Sequence, residues 1–289
     1  MDWGQIMLNV SKRSLSIVIP TFARRNELKN LLDSIVGCDI VIDYEIIIVD
    51  QNEDKLIDEL VLDYKATLPI VHEKVSFKGL SRARNHGIAI SKGLFICFPD
   101  DDAEFRGDTV TKALKAFEDS DADCVFGKCI DKESGLDSVI NFKGGCFVLT
   151  KDNFENAFVE ATMFAKRELF NEYLFDENMG VGTIFGSQEG YDLVYRLLCV
   201  DRKLYYDSNI VYYHPNKIVT RCSEPEIRRA FYYSCGFGYL CKKHSFVYKY
   251  HKRKIMLILA YPLLFLFKNS QLKYYKAQIM GMSLGFCYL

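Results

Sequence analysis

Between Leu15 and Phe117, short apolar runs trade places with stretches of helical spacing. Leu15-Ser16-Ile17-Val18-Ile19 reads as a strand ended by Pro20. Leu28, Leu31, Leu32 and Ile35 then recur at helical intervals within Arg24 to Val36. Tyr44 to Val49 is a second strand, too apolar for a sheet with one wet face and so expected to be buried on both. Ile57, Leu60, Val61 and Tyr64 mark another helix, Pro69 to Lys74 a third strand, Leu80 to Ile90 a helix and Leu94 to Phe98 a fourth strand. Asp108 is placed to N-cap the helix carrying Val110, Leu114 and Phe117. Strands alternating with helices every roughly twenty to thirty residues predict an α/β fold. Its sheet should be mostly parallel, with helices on both faces and ligands at the carboxyl ends of the strands. Thr21, Asp50 and the run Asp100-Asp101-Asp102 each follow such an end.

From about Cys124 the pattern loosens into shorter strands, Cys124-Val125-Phe126 and Gly145 to Leu149. A glycine-rich connection from Met179 to Gly186 leads into Ser187-Gln188-Glu189-Gly190-Tyr191-Asp192, and Leu193, Val194, Leu197 and Leu198 form a helical apolar stripe behind it. Glycines ahead of a carboxylate-bearing helix suit a loop that closes over a substrate, with an ordinary surface loop as the alternative. Near the end, Lys242, Lys243, Lys249, Lys252, Arg253 and Lys254 precede thirteen uncharged residues, Ile255 to Phe267, with Lys268 after them.

Composition changes this picture in two places. The net charge of −1 hides an asymmetry: residues 227–289 carry eleven of the 37 Lys and Arg and no Asp or Glu. The preceding 226 residues therefore hold 26 cations against all 38 acids, a net of −12. A tail so charged is expected to meet an anionic surface. Spanning a bilayer takes about 20 apolar residues, so the run of thirteen predicts a helix lying in the interface instead. A helix packed on the main domain or a homodimer contact is the alternative. Nothing in the chain reads bases or tracks a nucleic-acid backbone. The ten cysteines form no CxxC pair or metal-type spacing, and Cys97, Cys124, Cys146 and Cys199 sit in apolar segments, so reduced thiols used as small hydrophobes are expected. Met1-Asp2-Trp3-Gly4 shows no charged-then-apolar targeting pattern, in keeping with a cytoplasmic chain.

The chemistry concentrates in Gly79-Leu80-Ser81-Arg82-Ala83-Arg84-Asn85-His86-Gly87 and, one strand later, Pro99-Asp100-Asp101-Asp102. Three adjacent carboxylates repel one another unless a cation sits among them. Hard oxygen donors select Mg2+ or Mn2+, which take one or two protein carboxylates plus substrate phosphates. Alternation along an extended segment puts Asp100 and Asp102 on one side and turns Asp101 away. Arg82, Arg84 and Asn85, near a helix start, offer charge-assisted bonds to phosphate, and Arg84 is favoured because only one helix face points inward. Asp50 is suited to a nucleobase N–H or a ribose hydroxyl, or to a plain Asx turn. Glu189 and Asp192 share a helix face. One is a candidate general base, and the other a partner for Arg196. His214 is a candidate ligand for metal or diphosphate, or else a satisfied rim residue.

Taken together, these segments resemble a family 2 glycosyltransferase with the GT-A fold. The matching pieces are Ser16-Ile17-Val18-Ile19-Pro20-Thr21, Ile48-Val49-Asp50, Gly79 to Gly87, Phe98 to Asp102, the helix Glu189 to Leu198 and the strand ending in His214. The resemblance covers residues 14–215. It implies transfer of a sugar, with inversion, from a nucleotide donor (commonly UDP-linked) with Mn2+ or Mg2+ as cofactor. By position, Pro20, Thr21, Asp50, Arg82, Arg84, Asn85, Asp100 and Asp101 fall on the donor side, and Asp102 and His214 on the metal. The family's usual Glu-Asp pair stands here as Glu189-Gly190, so Glu189 is the first choice of base and Asp192 the second. The resemblance further implies a saccharide or polyprenyl-linked acceptor, a role in bacterial surface polysaccharide synthesis and a place on the inner face of the cell membrane. The implied division is a nucleotide-sugar half (14–125), an acceptor half (126–222) and a helical tail (223–289). Two other readings compete: a sugar-nucleotidyltransferase, and a nucleotide-sugar-binding subunit without catalysis.

Overall fold

The computed structural model describes residues 14–216 and 219–288. The amino-terminal segment read above for targeting lies outside them. Nine strands form one sheet: β1 (Ser14–Thr21), β2 (Asp43–Asp50), β3 (Ile70–Lys74), β4 (Phe95–Cys97), β5 (Glu104–Phe105), β6 (Cys124–Ile130), β7 (Cys146–Val148), β8 (Met163–Lys166) and β9 (Leu204–Tyr213). The helices are α1 (Arg25–Val36), α2 (Asp58–Tyr64), α3 (Leu80–Ile90), α4 (Thr109–Ser120), α5 (Glu189–Cys199), α6 (Glu224–Lys243), α7 (Val247–Phe267) and α8 (Leu272–Cys287). The strand order is β3-β2-β1-β4-β8-β6-β9-β5, with β7 on β9. Following the pairings along the sheet, β1, β2, β3, β4, β6 and β9 run one way and only β5, β7 and β8 oppose them.

The chain resolves into two compact units. The first comprises residues up to Phe77, Ala83–Leu174 and Val194–Asn216, and holds the whole sheet. The second comprises Lys78–Arg82, Phe175–Leu193 and Lys217–Leu289.

In the first unit, Leu15, Ile17 and Ile19 join one apolar cluster with Leu28, Leu31 and Leu32 of α1, Leu60 and Val61 of α2, and Val110 and Leu114 of α4. Val18 points to the other face, where a Cβ on Gly87 of α3 would lie 2.3 Å from its Cγ1. Only glycine lets α3 come that close to β1. Helices thus cover both faces, and Ile46 to Val49 are fully buried, as their unbroken apolar run predicts. The cysteine expectation divides. None of the ten is in a disulfide, and Cys97 and Cys124 are buried, but Cys146 and Cys199 are exposed. Cys146 lies on the short edge strand β7, where its thiol donates to Asp207. Asp108 does occupy the N-cap position of α4, but without a cap bond, because Arg106 and Lys112 take its carboxylate.

β9 carries the chain to His214, and its pairing with β6 shifts register between Phe126 and Lys128. The residue at that shift is Gly127, where a Cβ would sit 2.3 Å from the backbone oxygen of Ile210. Beyond it the backbone N–H of His214 donates to Ile130 (2.9 Å).

In the second unit α6 starts with a capping box of Ser223 and Glu226 and ends in Lys242 and Lys243, so both ends suit the helix dipole. α6 and α8 touch backbone to backbone: a Cβ on Gly285 would meet the Cys235 oxygen at 2.0 Å, and one on Gly281 the Phe231 oxygen at 2.3 Å. α7 buries only Tyr250, which stacks on Phe286 of α8 (ring centroids 3.9 Å apart).

Gly127→Ala should push β9 off β6 and cost about 1–3 kcal/mol, read as a lower denaturant midpoint at unchanged m-value.

Candidate active site

The parallel strands deliver their polar ends to one edge. Thr21 and Asp50 close β1 and β2 as register partners, and β4 continues through Phe98 and Pro99 into the carboxylates. Asp101 and Asp102 lie in a turn instead of continuing the strand. Asp100 and Asp102 do come together, but Asp101 is not turned out to solvent: it is buried, accepting from the Thr21 hydroxyl (2.8 Å) and from Arg24 (2.7 Å). Strict alternation fails here because the backbone turns. Burial pushes the Asp101 carboxyl up to about 6, although Arg24 and Thr21 pull the other way. Arg24, at the N-cap of α1, also reaches Asp102 (2.9 Å) and so bridges two of the three acids. The sequence reading passed over it; its one local signal is that it stands three residues beyond Thr21.

Arg84 is fully buried and donates to Asp100 (3.0 Å), with Glu160 at 3.9 Å on its other side. Arg82 is exposed and Asn85 is buried, so the inward face of α3 is the one expected for Arg84. Burial raises the pKa of Asp100, Arg84 opposes that rise, and Glu160 and Asp102 add to it. Glu160 had no signal in the sequence.

One donor atom from each of Asp100, Asp102 and His214 lies within 4.8 Å of the others. His214 Nδ1 is 3.1 Å from the Pro215 carbonyl oxygen, which can only accept, so Nδ1 carries the hydrogen. In the neutral imidazole Nε2 then offers its lone pair toward Asp102 Oδ1, 3.4 Å away. Two acceptors facing each other beside a second carboxylate make a donor set that fits a divalent cation. A further trio, Asp50, Asp58 and His72, does not fit one, because Lys74 already supplies the positive charge at 2.8 Å from Asp58 and 3.9 Å from Asp50.

Asp50 is fully buried. Asn52 donates to its Oδ1 through both the backbone N–H (2.9 Å) and the side-chain amide (2.8 Å), an Asx turn, and His72 Nε2 donates to Oδ2 (3.0 Å). Burial works to raise its pKa, but these bonds outweigh it and hold the carboxyl below its ordinary range. Pro20 is buried within β1 beside Val49.

Glu189 and Asp192 belong to the second unit, on the first turn of α5, and both are buried. Asp192 Oδ1 accepts from Lys243 (2.7 Å) and His244 (2.8 Å), whereas Arg196 donates to the Leu174 carbonyl. The partner of Asp192 is therefore the end of α6, not Arg196. Lys243 also binds Asp176 (2.6 Å), so one ammonium clasps both ends of the segment Asp176 to Asp192. Between those ends Phe185 stacks on Tyr239 (4.2 Å), and the Gly186 N–H donates to Tyr232. Gly180 and Gly182 have positive φ, and Gly182 packs on Gly79 with no room for a Cβ. The glycine-rich connection is thus a bonded turn built on α6. Lys243, which reads in sequence as one of a run of surface cations, is committed to this clasp.

The model of the family described as "Glycosyl transferase family 2" matches residues 16–170, more than half of the chain. The chain belongs to this family. Its sheet and helices form the GT-A fold. A Campylobacter jejuni protein, the GalNAc(5)-diNAcBac-PP-undecaprenol beta-1,3-glucosyltransferase, is 29% identical over 135 residues, covering 45% of this chain and 43% of that one. S. aureus TarS 1-349 in complex with UDP-GlcNAc has a TM-score of 0.55 at 18% identity, covering 71% of this chain and 59% of that chain. The mannosyltransferase PcManGT from Pyrobaculum calidifontis, in complex with GDP-Man and Mn2+, has a TM-score of 0.63 at 16% identity, covering 96% and 87%. The chain thus spans less than half of the curated glucosyltransferase it matches.

Removing the clasp with Lys243→Met should cost about 3 kcal/mol by taking their shared ammonium from the buried Asp192 and the half-buried Asp176, and Lys243→Arg should restore most of it in thermal melts. Asp101 carries a pH signature. Its folded pKa of about 6 exceeds the ordinary carboxylate value near 4, so between those pH values the native state holds a proton that the unfolded chain releases. Its contribution to stability therefore falls as pH rises from about 4 to about 6. Asp101→Asn should gain on wild type across that window, and a Tm difference independent of pH would contradict the assignment.

Proposed function

We propose that the chain is an inverting, metal-dependent glycosyltransferase that moves a sugar from a nucleoside-diphosphate donor to a hydroxyl of a saccharide or lipid-linked saccharide. The observation that carries this is the trio Asp100, Asp102 and His214, beside Arg24 and Arg84, at the carboxyl ends of parallel strands in a family 2 chain. The UDP-GlcNAc bound by TarS and the GDP-Man and Mn2+ bound by PcManGT support a nucleotide-sugar donor and a divalent ion, with UDP as the nucleotide to try first. Asp100, Asp102 and His214 would hold Mn2+ or Mg2+, whose charge would offset that developing on the departing diphosphate. The imidazole nitrogen in the set favours Mn2+ over Mg2+.

The chain's own groups do the rest. Arg24 and Arg84 offer guanidinium charge to the phosphates, and Thr21 and Asp50 stand where the nucleoside belongs. Asp101 keeps Arg24 in place. Inversion needs one carboxylate to take the proton from the acceptor hydroxyl, and no covalent intermediate. Asp192 is bound by Lys243 and His244 and so serves as an anchor, which leaves the base to Glu189. The lipid-linked saccharide in the name of the C. jejuni relative supports an acceptor of that kind, and with it bacterial surface polysaccharide synthesis at the inner face of the cell membrane.

Incubation with UDP- and GDP-sugars and Mn2+ should release free nucleoside diphosphate, and chelation should abolish the release. Glu189→Gln should lower kcat by about 10²–10⁴ while the donor Kd stays within about twofold. Asp102→Ala should lose the metal response altogether. Metal-dependent turnover that survived Asp102→Ala would refute the metal assignment. Pyrophosphate as product would identify a nucleotidyltransferase. Donor binding without turnover, with Glu189→Gln silent, would identify a non-catalytic subunit.

A further inference from the structure

The proposed location calls for a surface that can meet a bilayer, and α7 has one. Over Ile255 to Phe267 this helix is apolar all round, yet it has a single covered side. Tyr250 is buried, and Leu257, Tyr261 and Leu264, spaced along the same helix face, are half-buried. On the opposite side Tyr248, Ile255, Leu259, Leu263 and Leu266 follow at helical spacing and are 78%, 53%, 71%, 60% and 70% exposed. Met256 and Phe267, on the flank of that stripe, are exposed as well. A contiguous apolar stripe of this length on a helix is left bare only where something covers it.

Charge decides what covers it. Lys252 stands within the stripe, between Tyr248 and Ile255. Lys268 follows the helix, and Lys273 and Lys276 of α8 are exposed too. Lys273 has Glu224 at 3.9 Å, but residues 227–289 contain no Asp or Glu to balance the others. A second copy docked through the same stripe would be related by a two-fold axis, setting these cations against their own images with no acid to pair them. An anionic bilayer presents the complementary charge and an apolar layer beneath it. The helix does not cross that layer: among the described residues no helix is long and apolar enough to do so. At about 1.5 Å per residue the apolar stretch of thirteen is about 20 Å long, against about 30 Å of hydrocarbon.

We infer that the outer face of α7, from Tyr248 to Leu266, is a docking surface for anionic lipid, with the helix axis in the plane of the interface. The structure also corrects which cations serve it. Lys243 is held by Asp176 and Asp192, Lys249 donates to the Tyr191 hydroxyl (3.0 Å), and the Arg253 guanidinium covers the Phe237 ring at 4.4 Å. Lys273 is paired with Glu224, so Lys252, Lys268 and Lys276 carry the electrostatic part.

The inference stands apart from the catalytic reading, and its test needs no turnover. Co-sedimentation is measured with phosphatidylcholine vesicles, with and without about one third phosphatidylglycerol, alongside sedimentation velocity without lipid. Wild type should bind the anionic vesicles, bind neutral ones far less, and release in high salt. Leu259→Glu with Leu263→Glu should weaken binding at least about tenfold at an unchanged Tm, since both side chains are exposed. No binding to anionic vesicles would overturn the inference, as would binding that the double substitution leaves intact. A dimer in lipid-free solution that the same substitutions dissociate would assign the stripe to a second copy instead.

Discussion

Asp100, Asp101 and Asp102 leave a buried strand within one turn, and their mutual repulsion is the constraint that organises the first unit. At low dielectric, like charges a few ångströms apart cost more than any single surface contact returns. The chain answers by bringing a cation or donor from a different element to each acid. Thr21 comes from the end of β1, Arg24 from the start of α1 and Arg84 from α3. These elements meet only because the parallel strands end at one edge. Gly87 lets α3 close on β1, and Gly127 lets β9 take the register that carries it to His214. The compensation is incomplete, since Asp100 and Asp101 both keep raised proton affinity. That residual frustration is what a functional site retains when the rest of a fold is locally consistent.

How much of this was legible in the sequence depended on the range of the interaction. β1, β2 and β4 could be read because burial on both faces leaves largely apolar runs, and α5 because Leu193, Val194, Leu197 and Leu198 repeat at helical spacing. β5 and β8 are two and four residues long and pair antiparallel with strands far away in sequence, so they leave no periodic signal. The site divides in the same way. The acids, Arg84 and His214 stood out as local motifs. Arg24, Glu160 and Lys243 matter through partners 77, 76 and 67 residues distant, and no local pattern encodes such a pairing. The outward turn expected of Asp101 failed for a related reason, because side-chain alternation holds only while the backbone stays extended.

The second unit puts a different use on glycine. Ahead of a carboxylate-bearing helix, Gly180, Gly182 and Gly186 suggest hinges, yet each sits where a side chain would strike a neighbour: Ser81, Gly79 and Tyr232 respectively. They serve close approach, and the segment they build is stapled at both ends by Lys243. A clasped turn on a 20-residue helix holds Glu189, the proposed base, in position better than a free loop would. The same unit carries α7. A bilayer bound to the outer face of that helix would fix the orientation of this unit. On the proposed reading, the donor-side residues Thr21, Arg24, Asp50 and Arg84 fall in the first unit and Glu189 in the second. The first is organised by repulsion among its own carboxylates, and the second by the hold of Lys243 on Asp176 and Asp192.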